Sequence, residues 1–505
     1  MAEVPHYDWI AYHAAGQPDA LAQHDLHSGR RFSYAEMEAR VARLSAFLQR
    51  QAGIAVGDRI ASICHNTTDV FEMAFAAQRI GAIYIPINWR LAIPELEFIL
   101  QDCEPKVLFF SAEFAPRIDE LRRLVKIPTL LATADGEPSD YESALAGTAG
   151  SAEPKLQTLE QTWMLMYTSG TTGRPKGAQH TYRSHVFNAI NCQVAVDLSK
   201  RSNNLCVLPL FHVGGMNAYG MPCFHFGAAN TVMRQFDPAL CLKLLADPSS
   251  GVSHTFAVPT NMQMMAALPE FEGARFEHLV GIGIGGSAVP VPLLQLYASK
   301  GLAIQQGWGM TELTAIGTQL QRSRALDKIG SCGRPVMHAE LRIADADGRP
   351  LGDGEVGELQ VKGPIVIPGY WRRPEANETS FIDGWFKTGD AAVRDAEGYY
   401  KIVDRWKDMY ISGGENVYPA EIENALYRLD GIAECAVIGV PDAKWGEVGR
   451  AYIVRKSGSA LCEEDVLAHC QKNLARYKVP KSVRFLPELP HNATGKITKH
   501  ALPRD

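Results

Sequence analysis

Apolar positions change their spacing along this chain, and the changes mark out its parts. From Ser33 to about Gln51, Met37, Val41, Leu44 and Leu48 fall on one helical face, and Ser33 with Glu36 makes a capping box at its start. Short apolar runs follow at Arg59–Ile63, 83–87 and 107–110, with a helical stretch over 70–80 between the first two. This alternation predicts a largely parallel, doubly wound sheet covered on both faces, and the rhythm resumes over about 163–310. From about 340 the period shortens. Alternating runs at Glu340–Ala344, Gly357–Lys362 and 399–403, divided by Asp347-Gly348 and Asp353-Gly354, predict antiparallel strands. Beyond Asp404-Arg405-Trp406-Lys407-Asp408 lies an α+β unit with helices near 420–429 and 463–474 and strands near 434–439 and 450–455. The expected fold class is therefore α/β: a large N-terminal domain, 1–406, of doubly wound sheets plus an antiparallel β subdomain, then a small α+β domain, 407–505.

A chain of 505 residues is long enough for two or more domains, and 46% hydrophobic with 21% charged residues is the balance of a soluble globular protein. The net charge of −6 gives no support to a nucleic-acid-binding face. No apolar run nears the roughly 20 residues of a membrane span, and MAEVPHYDWIAYHAAG lacks the plan of a signal peptide. Ten cysteines are scattered without a CxxC pair, as expected of buried thiols in a reducing compartment, the cytoplasm. A homodimer is compatible with the sequence but not fixed by it.

Candidate chemistry clusters after an apolar segment at 163–166. A loop of small residues, Thr168, Ser169, Gly170, Thr171, Thr172 and Gly173, leads to Arg174 and Lys176. Convergent N–H groups and hydroxyls beside positive charge suit a phosphate. The spacing is not that of a Walker A loop, since Pro175 precedes Lys176. GIGIGG (281–286) satisfies G-x-G-x-x-G, after a strand-like 278–280 and before a helical 292–300. A dinucleotide site needs an acidic residue about 20 positions on, and Gln305 and Gln306 stand there instead. In QQGWGMTE (305–312), Trp308 can stack on adenine or fill core, and Glu312 beside Thr311 would be a costly unpaired carboxylate unless a hard cation meets it. His212 in LPLFHVGG has open space beside it from Gly214 and Gly215.

YTSGTTGRPKG (167–177) resembles the phosphate loop of adenylate-forming enzymes, and the family's other motifs follow in order across about 30–500. The chain is most similar to AMP-forming acyl-CoA synthetases of the fatty-acid and 4-coumarate type. The resemblance implies ATP (leaving as AMP), Mg²⁺ and coenzyme A as ligands. It implies that Thr168, Ser169, Gly170, Thr171, Thr172 and Lys176 hold phosphates, with Glu312 and Thr168 at the metal. Gly286, Ser287 and Ala288 (where proline is usual), with Gly307, Trp308, Gly309 and Thr311, would surround adenine and the acyl group. Asp390 in GWFKTGD and Arg405 would take the ribose, Lys407 would be the hinge, and Gly414 would flank the pantetheine tunnel. His212 would position or admit the substrate carboxylate. Lys496 in ATGKITK would reach from a rotating small domain to bridge carboxylate and phosphate.

The implied reaction joins a carboxylic acid to CoA through an acyl-adenylate. Gly214, Gly215, Met216, Ala288, Thr314, Ala315 and Ile316 are the expected acyl-pocket positions, and none is charged. They point to a hydrophobic monocarboxylate, medium- to long-chain aliphatic first and an aryl-propenoate such as coumarate or ferulate second. The alternatives are an adenylation enzyme that loads a carrier protein, a luciferase-like oxygenase, and an NAD-binding oxidoreductase.

Overall fold

Thirteen consecutive buried residues, Thr68–Ile80, form the helix around which the large domain is organised. The computed structural model describes residues 4–134, 138–168, 175–287, 289–405, 408–412, 415–442, 444–492 and 496–504. Thr67 caps the helix by accepting the Asp69 N–H, and Gly81, at φ 72°, ends it in the left-handed conformation. One side meets the strands Ile83–Pro86 and Thr162–Thr168; another meets Leu21–Asp25 of a different sheet. A helix buried on all sides must pair its own charges. Arg79 donates to Asp8 and to both oxygens of Glu38 at 2.6–2.9 Å. Glu72 accepts from Arg40 at 2.8 Å, Gln23 at 2.9 Å and the Tyr141 hydroxyl at 2.7 Å.

The first sheet runs Lys176–Thr181, Thr162–Thr168, Ile83–Pro86, Arg59–Ile63, Val107–Ser111, Thr129–Thr133, parallel except for the hairpin of its first two strands. The second has nine strands, with Gln305–Trp308, Gly281–Ile284, His254–Ala257, Asn203–Cys206, Ala229–Val232 and Leu21–Asp25 as its parallel centre. An antiparallel sheet follows, in which Trp385–Arg394 pairs with Gly357–Lys362 on one side and Tyr400–Arg405 on the other. The C-terminal part pairs Ile432–Asp442 with Gly446–Arg455 and packs Pro419–Leu426 and Glu463–Asn473 around a separate apolar cluster. The capping box at Ser33 and Glu36 opens the helix Tyr34–Arg50 as the sequence predicts. All ten cysteines are free, and nine of them are buried. No helix among the described residues is long and apolar enough to cross a membrane.

One expectation is corrected. The strand-like segment at 278–280 is a turn leading in, and the strand is the glycine run itself, Gly281–Ile284. With a period of two, Gly281, Gly283 and Gly285 present one face. A Cβ on Gly283 would run into the Tyr219 hydroxyl and, at 2.6 Å, the Phe256 ring; one on Gly285 would lie 2.8 Å from the Gly307 carbonyl oxygen. The G-x-G-x-G alternation therefore serves close packing across the sheet face.

Arg40→Ala should leave Glu72 buried without its cation. We expect a loss of about 3–5 kcal/mol, read as an earlier urea midpoint for the large domain. An unchanged midpoint would mean that Gln23 and Tyr141 suffice to hold the carboxylate.

Candidate active site

The carboxyl ends of the central strands, the antiparallel sheet and the C-terminal turn enclose one cleft of about 2190 Å³, with Thr168, Lys176, Glu312, Asp390, Arg405 and Lys496 all on its walls. Ser169, Gly170, Thr171, Thr172, Ala288, Lys407 and Gly414 lie outside the described residues. The residues that flank the expected phosphate-binding segment are held together: Thr168 and Lys176 are partners in the antiparallel hairpin. The Lys176 ammonium stands 5.3 Å from the centre of the Tyr370 ring, and the Tyr370 hydroxyl donates to Glu312 Oε1 at 2.7 Å. Tyr370 is thus a bridge between the loop and the buried carboxylate. Sequence reasoning missed it; the signal was a tyrosine just after Pro368-Gly369, at the end of the apolar run Ile365-Val366-Ile367.

Glu312 lies in a tight turn, Thr311–Leu313, directly after the strand Gln305–Trp308. Thr314 and Ala315 follow at φ 58° and 153°, a left-handed pair that costs energy for residues with a Cβ. The turn is anchored from behind. His180 donates from Nε2 to the Thr311 carbonyl at 2.8 Å, and its Nδ1 accepts from Asn217 at 3.1 Å. A carbonyl can only accept, so this pairing fixes the tautomer, and burial holds the His180 pKa down at about 4. Asn217 sits in the π-helical turn Met216–Gly220, an insertion often found beside functional sites.

Burial pushes the Glu312 carboxyl above its usual range, partly offset by the Tyr370 hydroxyl. A carboxylate so poorly supplied with positive charge fits a hard cation. Among the described residues no cluster of three or more His, Cys, Asp or Glu could hold a metal ion. The donor set suits Mg²⁺, which takes one or two carboxylates and completes its shell with phosphate and water oxygens.

Asp390 and Arg405 are register partners on adjacent antiparallel strands. Arg405 Nε reaches Asp390 Oδ1 at 2.5 Å, and the Trp308 indole Nε1 donates to Oδ2 at 2.8 Å. Burial raises the Asp390 pKa, while Arg405, Trp308 and Lys496 pull it back. The Lys496 N–H donates to Asn492 Oδ1 at 3.0 Å. Burial, then the Arg405 guanidinium, lowers the Lys496 ammonium to about 8, against the attraction of Asp390 and Glu312. Its Cε lies 3.5 Å from where a Cβ on Gly286 would stand, and Gly286 itself is at φ 83°, so glycine is required there. Gly286 and Ser287 are exposed to the cleft. His212 accepts the Gly214 N–H on Nδ1 at 3.1 Å, which leaves its proton on Nε2. Burial and nearby Lys496 depress its pKa to about 3, so it is a neutral donor.

The expected acyl-pocket positions separate. Gly214, Ala315 and Ile316 line the cleft. Met216 and Thr314 are fully buried away from it, and Thr314 donates to the Ile365 carbonyl at 3.1 Å. Gly215 opens no space: a Cβ there would lie 2.6 Å from the Pro209 carbonyl carbon, so its role is a close backbone crossing. Leu208, Val213, Ala218 and Phe256 complete the apolar wall. Gly307 and Gly309 also line the cleft, and both permit tight strand packing, against Gln319 and Ala315 respectively.

Such a cleft, with Lys176, a buried carboxylate on Glu312, the Asp390–Arg405 pair and Lys496 on its walls, is one that an enzyme activating acids with a nucleotide can use. The family model described as AMP-binding enzyme matches residues 10–371, and its C-terminal domain matches residues 421–496. A feruloyl-CoA synthase of Amycolatopsis sp. is 41% identical over 97% of both chains. The long-chain-fatty-acid–CoA ligase FadD13 of Mycobacterium tuberculosis is 38% identical over 94% of this chain and 92% of its own. The o-succinylbenzoate CoA synthetase of Bacillus subtilis, solved in complex with ATP and magnesium ion, superimposes with a TM-score of 0.88 at 30% identity, covering 99% of this chain and 100% of that one. The chain belongs to the AMP-binding enzyme family and is an AMP-forming acid–thiol ligase, the class that uses ATP, Mg²⁺ and coenzyme A.

The Lys496 environment gives a pH prediction. A lysine lowered to about 8 keeps its charge below that pH and loses it above. The kcat/KM for ATP, which reports the free enzyme, should therefore fall as pH rises through about 8. Lys496→Arg should remove that alkaline limb, whatever activity it retains. A limb that survives in the arginine variant would belong to another group.

Proposed function

We propose that this ligase activates an aryl-propenoate of the coumarate or ferulate type as its acyl-adenylate and transfers the acyl group to coenzyme A. The observation that carries the aromatic choice is Phe256. It is half-buried on the cleft wall, its ring edge lies over the bare face of Gly285, and its other side is closed by Tyr219 at 5.7 Å between ring centres. A flat acid stacks on the part of this ring that faces the cleft, whereas a long alkyl chain meets the Tyr219–Phe256 pair. This reverses the order expected from sequence, where the aliphatic acids came first. The 41% identical feruloyl-CoA synthase supports the same order.

In the first step an oxygen of the acid's carboxylate attacks the α-phosphorus of ATP, forming the C–O–P bond of the adenylate as pyrophosphate leaves. Negative charge builds on the phosphoryl oxygens, and Lys496 is the mobile donor to it. His212, neutral with its proton on Nε2, donates to the acid's carboxylate and turns it toward phosphorus. Asp390 and Arg405 hold the ribose; Lys176 and the loop from Thr168 hold the phosphates. Bound Mg²⁺ would supply charge neutralisation on the phosphates, held by Glu312 with Thr168. In the second step the CoA thiol sulfur adds to the acyl carbon, AMP leaves with the C–O bond electrons, and the thiol proton is released. Lys496 must withdraw for the thiol to enter, so the small domain turns about Lys407 between steps.

Lys496→Ala should reduce adenylation, followed as pyrophosphate release, by about 10²–10³-fold. It should still convert a supplied acyl-adenylate to the thioester. Equal losses in both half-reactions would remove Lys496 from its proposed role.

The acid is decided by kcat/KM from butyrate to palmitate measured beside cinnamate, coumarate and ferulate. We expect a sharp optimum among the aryl-propenoates, with each aliphatic methylene adding well under the roughly fourfold gain of an open apolar tunnel. A steady fourfold rise toward palmitate would instead assign a fatty acid. Replacing free CoA by a carrier protein in the same assay tests the alternative acceptor.

A further inference from the structure

Trp308 ends the strand Gln305–Trp308 with its ring packed into the core. A Cβ on Gly317 would lie 2.6 Å from its ring, so the indole is seated hard against that backbone. Only 8% of the residue is exposed. Its one polar atom, the Nε1–H, points across the cleft floor to Asp390 Oδ2 at 2.8 Å. The other oxygen, Oδ1, is held by Arg405 Nε at 2.5 Å. The two donors differ in kind. The Arg405 side chain is 41% exposed, whereas the indole is buried and packed against the Gly317 backbone.

A carboxylate pinned at both oxygens has a fixed plane, and each oxygen keeps further lone-pair capacity. Asp390 lines the cleft, so that remaining capacity is available there. We propose that Trp308 is a positioning residue for nucleotide recognition: its indole N–H orients the Asp390 carboxylate so that the free lone pairs receive the ribose hydroxyls. This rests on the reading of Asp390 as the ribose acceptor and adds to it the group that sets its angle. A ring that merely stacked on adenine or filled core would need no N–H, and phenylalanine would serve as well.

Trp308→Phe keeps an apolar ring and removes the donor. The KM for ATP in pyrophosphate release should rise about tenfold, the loss of one hydrogen bond to a charged group, with kcat and the KM for the acid within about twofold. The preference for ATP over 2′-deoxy- and 3′-deoxy-ATP should shrink toward that of Asp390→Ala. An unchanged KM, or equal weakening of ATP and both deoxy analogues, would overturn the proposal. If Asp390→Ala itself keeps the wild-type preference, the ribose reading falls, and the positioning role with it. Should Trp308→Phe fold poorly, the wild-type protein gives the same answer. With ¹⁵N-labelled tryptophan, AMP should shift one buried indole N–H resonance more than 2′-deoxy-AMP and 3′-deoxy-AMP do, and equal shifts would overturn the proposal.

Discussion

Two carboxylates, Glu312 and Asp390, are buried on one cleft, and neither can hold its charge there without a cation. That constraint organises the site. Asp390 is met by Arg405 within the large domain, while among the described residues Glu312 accepts from the Tyr370 hydroxyl and is drawn by Arg405 at longer range. Lys496 adds attraction to both, but it arrives on the C-terminal turn and is itself depressed by burial and by Arg405. Arg405 therefore acts on all three of these groups, holding Asp390, drawing on Glu312 and repelling Lys496. Shielding by water is low inside such a cleft, so each of these charges acts strongly on its neighbours.

Much of the architecture can be read from the chain because it rests on local signals. The capping box at Ser33 and Glu36, the two-residue turns around Asp347-Gly348 and Asp353-Gly354, and the change of period near 340 are all encoded within a few residues. The glycine run at 281–286 misled for a physical reason. Glycine has no side chain to show a strand's alternation, so the run looked like a loop after a strand, whereas its alternate bare positions are the strand's packing face.

The site was legible as a list of residues but not as a set of contacts. Lys496, Glu312, Asp390, Arg405 and His212 come together on one cleft, as the motif order implies. Tyr370 lies 58 residues from Glu312 in sequence, and Trp308 lies 82 from Asp390; no spacing rule connects such pairs. Gly215 shows the converse. It was read as room for substrate because it adjoins Gly214, yet what fills the space beside it is the backbone of Pro209. A glycine's neighbours decide whether it opens a pocket or allows a crossing, and those neighbours are tertiary.

His180 and Asn217 tie the turn after His212 to the turn that carries Glu312. Asn217 belongs to the π-helical turn that follows His212 and Gly214, and its side chain holds His180, which holds the Thr311 carbonyl one residue before Glu312. A π turn places one extra residue in the helix and so aims Asn217 inward where a regular helix would present a different residue. Asn188 donates to the Asn217 carbonyl at 2.8 Å, so the widened turn is itself satisfied from a neighbouring helix. The side chains of His180, Asn217 and Asn188 are buried, and burial keeps His180 neutral above a pKa of about 4, so these contacts do not change with pH in the neutral range. The strained Thr314–Ala315 pair just beyond Glu312 needs such support, because unanchored backbone would relax out of the left-handed region. Glu312 is thus held in place by the same turn that contributes Ala218 to the cleft wall, so two sides of the cleft share one continuous piece of structure.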